Sequence, residues 1–386
     1  MNDTRAGSTE KTHDSERRHP WASSGLALYL LTATCVVCFV SMPVARSDSN
    51  PELRVYAPYG CSALEAGNEV VTVAHQALAV EAAAGVITAP KYADLRSKLD
   101  KILKTLCEHV RDLSRPSDRG SVERYFDTIC KTLYELGYSW QNVRVQYLSE
   151  VLGADPEPGE PGHHVRIDCD TSSILYVALA QLQGFPVKMI EIPKHNYVRW
   201  IEREISINWD TNDGKIRNDD QQSKLLSSKE IISYWFLIGR RDLRKDSRLS
   251  REFAFHALHL SPRYPEALNN VAWALVVDVD PRKRDAYQAL VCARRAVSLS
   301  DDANYWDTLA ATYAGIQDYD MAMTAELRAL DLLDLHAREY GLFEYPKLHK
   351  EFVGRLRIFR RREMYRPWLD VERPGARSTL EQPDSH

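Results

Sequence analysis

The chain has 386 residues, is 44% hydrophobic and 27% charged, and carries a formal net charge of -4. That composition belongs to an ordinary globular protein with room for two domains and a tail, and excludes a low-complexity or wholly disordered chain. Without a global positive field or a long basic run, nothing draws it toward nucleic acid, and no nucleic-acid partner is expected.

Residues 1–19 are polar and charged, whereas Pro20 to Ala45 contains no charged side chain. A charge-free stretch of that length can cross a bilayer core of roughly 30 Å as a helix. Arg17 and Arg18 precede it, and Asp48 and Glu52 dilute the positive charge after it. This asymmetry favours a cytoplasmic N-terminus with the rest of the chain outside. The alternative is a signal peptide, whose removal gives a secreted or periplasmic protein. Cleavage after Ala45 has Pro43 two residues earlier, where a small residue is wanted, so a retained anchor is preferred. Cys61, Cys107, Cys130, Cys169 and Cys292 lie beyond this segment. In an oxidising compartment they allow up to two disulfides and one free thiol.

A linker covers 46–61, and 62–225 reads as the first folded domain. Helical spacing predicts two or three helices from Ser62 to Leu113, another over "VERYFDTICKTLYELGY", and a short one at "VQYLSEVLGA" before the loop "DPEPGEPGHH". An apolar helix runs from Thr171 to Gln183 and is closed by Gly184, with Asp170 or Thr171 as its cap. "PVKMIEIP", "HNYVRWIE" and "EISINWD" alternate like three strands of an antiparallel ribbon, followed by a polar loop, "TNDGKIRNDDQQSK".

From 228 to 365 the chain is helical. Ala257, Ala296 and Ala329 occupy equivalent places in a repeat with spacings of 39 and 33 residues, resembling tetratricopeptide units, whose usual period is about 34. Two and a half units need the preceding domain or the terminal helix "YPKLHKEFVGRLRIFRRREMY" to complete a core. Trp273, Tyr305, Trp306 and Tyr313 read as core of that region, and 366–386 as a disordered tail.

Chemistry concentrates around Cys169. The first turn of a helix favours a thiolate through its dipole and free amides, and acyl transfer further needs a base and a group that orients it. His195 stands at the start of the second strand. On the third strand, Ser206, Asn208 and Asp210 share a polar face opposite Ile205, Ile207 and Trp209. Parity admits either Asn208 or Asp210 as the third member. Asp168 and Asp170 flank the thiol and oppose its ionisation by like charge. His163 and His164 precede Cys169 closely, but tetrahedral zinc wants a second coherent pair that the chain lacks, so no metal is expected. Trp200 and Trp209 read as core.

"DCDTSSILYVALAQLQGFPV", "IPKHNYVRW" and "ISINWDTNDG" together resemble the cysteine, histidine and acid blocks of the transglutaminase-like core, a branch of the papain-like cysteine fold, over roughly residues 120 to 215. The resemblance implies an α+β fold, a helix packed on antiparallel strands, followed here by the all-α repeat module. It implies a thiol enzyme that makes or cleaves acyl bonds of a peptide or protein substrate through a thioester, with Cys169 as nucleophile, His195 as base and no cofactor. Its third residue maps to Asn208, with Asp210 the rival, and Gln141 in "YSWQNV" is a candidate oxyanion donor. The competing expectation is a catalytically degenerate scaffold that binds a protein partner through its repeats.

Overall fold

Helix formation follows the caps and apolar spacings. In the computed structural model, which describes residues 60–140, 147–156, 164–192, 195–218, 223–240, 247–278, 280–340 and 345–366, the chain is an α+β protein. The segments at 1–19 and 20–45, nearly all of the 46–61 linker, Gln141, His163 and the tail from 367 lie outside the described residues.

The described residues begin with α1 (Gly60–Glu65), α2 (Val73–Ala83), α3 (Ala89–Val110) and α4 (Arg119–Glu135). Along α3, Leu95, Leu99, Ile102, Leu103, Leu106 and Val110 recur at helical spacing and are all buried. Asp118 caps α4 by accepting the Ser121 amide at 2.8 Å. Cys61 and Cys107 form a disulfide tying α1 to α3, while Cys130, Cys169 and Cys292 are not bridged. One bridge is thus formed among the described residues where the sequence allows two. It closes a loop over a separation of 46 residues. Reducing it is expected to lower stability by about 4 kcal/mol through the freed denatured chain, seen as a lower urea midpoint; an unchanged midpoint would refute that.

Two short strands, β1 (Tyr138–Trp140) and β2 (Val165–Ile167), pair in parallel on either side of α5 (Leu148–Gly153). Three residues apiece are too few to show a period, and sequence patterning does not reveal them. The buried carboxylate of Glu81 on α2 accepts the Leu148 and Ser149 amides, each at 2.8 Å. It pins the start of α5 to the core.

The central helix, α6 (Cys169–Gln183), is buried on nearly every side and ends at Gly184, whose φ of 66° is the left-handed cap that glycine adopts without strain. It packs against β3 (Val187–Ile192) and β4 (His195–Glu202) of a five-stranded sheet. The sheet continues through β5 (Ile205–Asp210), β6 (Lys215–Arg217) and β7 (Lys224–Leu226), in spatial order β6-β5-β4-β3-β7. The stretch expected as a polar loop, Thr211 to Lys224, therefore contains the edge strand β6 and ends on the first residue of the other edge strand, β7. Gly214 turns the chain between β5 and β6 with φ +66°, and a Cβ there would sit 2.9 Å from Cys130 Sγ. Trp200 and Trp209 lie in the core beneath the sheet.

The remaining described residues are largely helical: α7 (Ser228–Arg240), α8 (Ser247–Leu260), α9 (Pro265–Val276), α10 (Ala286–Leu299), α11 (Ala303–Gly315), α12 (Tyr319–Tyr340) and α13 (Tyr345–Arg360). Successive helices pair as α7 with α8, α9 with α10 and α11 with α12, and α13 packs on α12. Ala257, Ala296 and Ala329 are all fully buried. Gly315 permits a close helix approach, since a Cβ there would meet Val276 Cγ2 at 2.8 Å. α7 packs against α2, and Trp235, Phe253, Ala257 and Tyr264 join the core that surrounds α6. The first helices of the array thus share the apolar interior of the α/β part, while α9 to α13 enclose apolar clusters of their own.

Candidate thiol site

Asp168, rather than Asp170 or Thr171, caps α6: its carboxylate accepts the Thr171 amide at 2.8 Å and the Thr171 hydroxyl at 2.6 Å. Asp168 precedes the first helical residue, where a side-chain oxygen reaches the free amides. Cys169 then occupies the first helical position and is half-buried. Its Sγ lies 3.9 Å from Asp170 Oδ1, and the Asn196 backbone amide donates toward the sulfur. Burial pushes the thiol well above the ordinary cysteine range, the charges of Asp170 and Asp168 push the same way, and the Asn196 amide opposes them only in part.

His195 opens β4. Its Nε2 stands 2.8 Å from Asp210 Oδ2, and its Nδ1 faces the side-chain amide of Asn212 at 3.5 Å. An Nε2–H donated to Asp210 leaves the Nδ1 lone pair as the basic position. Asp210 also accepts from Arg217 Nη1 at 2.9 Å and from the Asn212 backbone amide at 3.0 Å. Burial works to raise this carboxyl, but His195, the Asn212 amide and Arg217 outweigh it and hold it below the usual range.

Asn208 is elsewhere. The ladder sets it opposite Arg199, whose Nε donates to Asn208 Oδ1. Arg199 is four residues along β4 from His195, roughly 13 Å at the rise of a strand, so the Asn208 amide has no path to the imidazole. The partner of His195 is Asp210, against the Asn208 assignment that the resemblance implies.

The loop after β5 is fastened to α6. Thr211 Oγ1 lies 2.7 Å from Ser172 Oγ and 3.3 Å from Ser173 Oγ, and all three residues are buried. This fastening brings Asp210 and Asn212 to the N-terminal end of the helix that begins with Cys169. Asn196 Nδ2 donates to Asp170 Oδ1, and Tyr234 on α7 donates its hydroxyl to Asp170 Oδ2 at 2.9 Å. Asp170 is pushed up to about 6, chiefly by burial, with the charge of Asp168 adding to it.

Thiol and imidazole are therefore neighbours through the His195–Asn196 peptide, while no hydrogen bond joins Cys169 directly to His195 among the described residues. Catalytic hydrogen bonds commonly tighten only when substrate is bound. His164 is buried with its ring 4.5 Å from that of Tyr134, and no group of His, Cys, Asp or Glu among the described residues has the placement to hold a metal ion. Sequence reading missed Asn196, Thr211, Asn212, Arg217 and Tyr234. Of these only Asn212 had a local signal, two residues beyond Asp210 in "WDTN". No protein-family model matches the chain, and no curated protein matches it as a relative.

Proposed function

We propose that this protein is a cysteine acyl transferase or amide hydrolase with a transglutaminase-like, papain-like core, acting on a peptide or protein through a thioester. Cys169 attacks the carbonyl carbon, His195 takes the thiol proton and later returns it to the leaving amine, and Asp210 holds the imidazole. Water or an amine then receives the acyl group. The observation that carries this reading is the 2.8 Å contact of His195 Nε2 with Asp210, itself fixed by Arg217 and the Asn212 amide, beside a helix whose first residue is a cysteine. Incubation of the full chain with a p-nitrophenyl ester tests it. We expect a burst of nitrophenolate, an acyl group mapped to Cys169 by mass spectrometry, and a loss of about 10²–10⁴-fold in burst rate for His195→Ala. Labelling confined to Cys130 or Cys292, or an undiminished rate in that variant, overturns the reading.

A second reading is favoured by the state of the thiol. Cys169 contacts Asp170 instead of the imidazole, and burial and two carboxylates keep it protonated. A degenerate scaffold would leave partner binding to the tetratricopeptide-like helices. Tyr287 and Val291, 74% and 69% exposed one turn apart on α10, are the apolar contacts such a partner would use.

On location, we propose that the segment at 20–45 anchors the protein in a membrane with its main domain outside the cytoplasm, or is cleaved as a signal peptide. The Cys61–Cys107 disulfide supports export, because such bridges persist in oxidising compartments. Among the described residues no helix is long and apolar enough to cross a membrane. Protease added to sealed spheroplasts should digest the main domain if it is exported, and protection would refute export.

A further inference from the structure

We infer that Tyr234, supplied by the first helix of the helical array, is a positioning residue of the thiol site that acts through Asp170 on Cys169. The inference rests on Cys169 being the nucleophile proposed above. Asp170 is 2% exposed, and both of its oxygens are engaged. Oδ2 accepts the Tyr234 hydroxyl at 2.9 Å, while Oδ1 accepts Asn196 Nδ2 and faces the Cys169 thiol at 3.9 Å. Tyr234 thereby sets the rotation of the carboxylate, and that rotation decides what Oδ1 presents to the sulfur. Asn196 follows His195 in the chain, so the same carboxylate also fixes the start of β4 from which the imidazole projects. One hydroxyl on α7 therefore governs both halves of the reacting pair.

Its charged surroundings are defined on every side. Asp168 lies on the cap of α6, and His195 comes from β4. Glu191 of β3 is close enough to feel the charge on Asp170, and it pairs across the sheet with Lys224 of β7. Lys224 in turn reaches Glu230 of α7 at 3.3 Å, and Tyr264 donates to Glu191 at 3.0 Å. A carboxylate left in this dry setting needs its two donors, since an unpaired buried charge is strongly disfavoured.

The pH dependence of iodoacetamide alkylation at Cys169, read by peptide mapping in the full folded chain, tests the inference. Asp170→Asn removes the charge beside the sulfur and is expected to lower the alkylation midpoint by about one pH unit, near tenfold in rate at fixed pH. Tyr234→Phe keeps the ring but strips a donor from the anion, concentrating charge on Oδ1. Its midpoint is expected to rise, and alkylation at pH 8.5 to slow about threefold. Opposite shifts distinguish positioning from loosened packing, which would speed both variants. A Tyr234→Phe profile that superimposes on the wild type, shifts of the same sign, or a thiol that stays silent in Asp170→Asn overturns the inference. His195→Ala, measured alongside, reports separately on the proposed base: an unchanged profile in that variant removes His195 from the reaction and leaves the Tyr234 comparison standing.

Discussion

Replacing Asp210 with alanine is expected to lower turnover of any acyl donor that reaches Cys169 by about 10³–10⁴-fold, whereas Asn208→Ala costs no more than about tenfold. The difference follows from the β5 register. Asp210 accepts from His195 Nε2 and from Arg217, so its removal frees the ring to rotate and leaves a cation beside it without its carboxylate. Asn208 is bonded to Arg199 and holds nothing that reacts. Asp210→Asn separates orientation from charge: an amide oxygen can still accept the Nε2–H, as in Cys-His-Asn sites, but stabilises imidazolium less. It should fall between wild type and alanine. Burst rates with the ester probe measure all three variants. Equal losses at Asn208 and Asp210 would mean that the strand pair acts only as a unit of folding, and the orienting role of Asp210 would be lost.

Why the sequence left that choice open is a matter of period. Residues 208 and 210 are two apart on a strand and must share a face, so alternation cannot separate them. Only the pairing of Arg199 with Asn208 does, and register depends on the whole ladder. The helix from Cys169 to Gly184 was legible because it carries its own signals, an apolar run and a glycine stop. Its cap was misplaced by two residues or more, since Asp168, Asp170 and Thr171 are all capping types within four positions. Tyr234 was invisible for another reason: it lies 64 residues from Asp170, and no spacing rule connects a helical array to a site formed by a sheet. Asn196 falls on the helix-facing side of β4, which a reading of the His195, Tyr197 and Arg199 face passes over.

The helical array contains a second buried charged cluster, and its disruption is expected to have the largest effect on stability. Arg355 of α13 donates to Asp307 of α11 and stands 3.9 Å from Glu326 of α12. The guanidinium lies over the rings of Phe352, Tyr365 and Trp273 at 5.0, 5.2 and 5.8 Å. One cation cannot neutralise two dry carboxylates, so one keeps its proton. Glu326, fully buried and farther from the arginine, is pushed up to about 11 by burial and by the charge of Asp307. Arg355→Met would strand Asp307 without its cation, at a cost of about 3–5 kcal/mol. Glu326→Gln acts the other way. Because the folded state binds the Glu326 proton more tightly than the unfolded chain does, its contribution is fully present below about pH 4.5 and is lost progressively as pH rises toward 11. Glutamine does not titrate and keeps the size and neutrality of the protonated acid. The variant should therefore gain on the wild type as pH increases, by up to about 1.4 kcal/mol for each pH unit between 5 and 9. Urea unfolding at pH 5, 7 and 9 reads the slope directly. Parallel curves would place the proton elsewhere and make the triad an ordinary ion pair, while divergence would show that the junction of α11, α12 and α13 is held by a neutral acid at physiological pH.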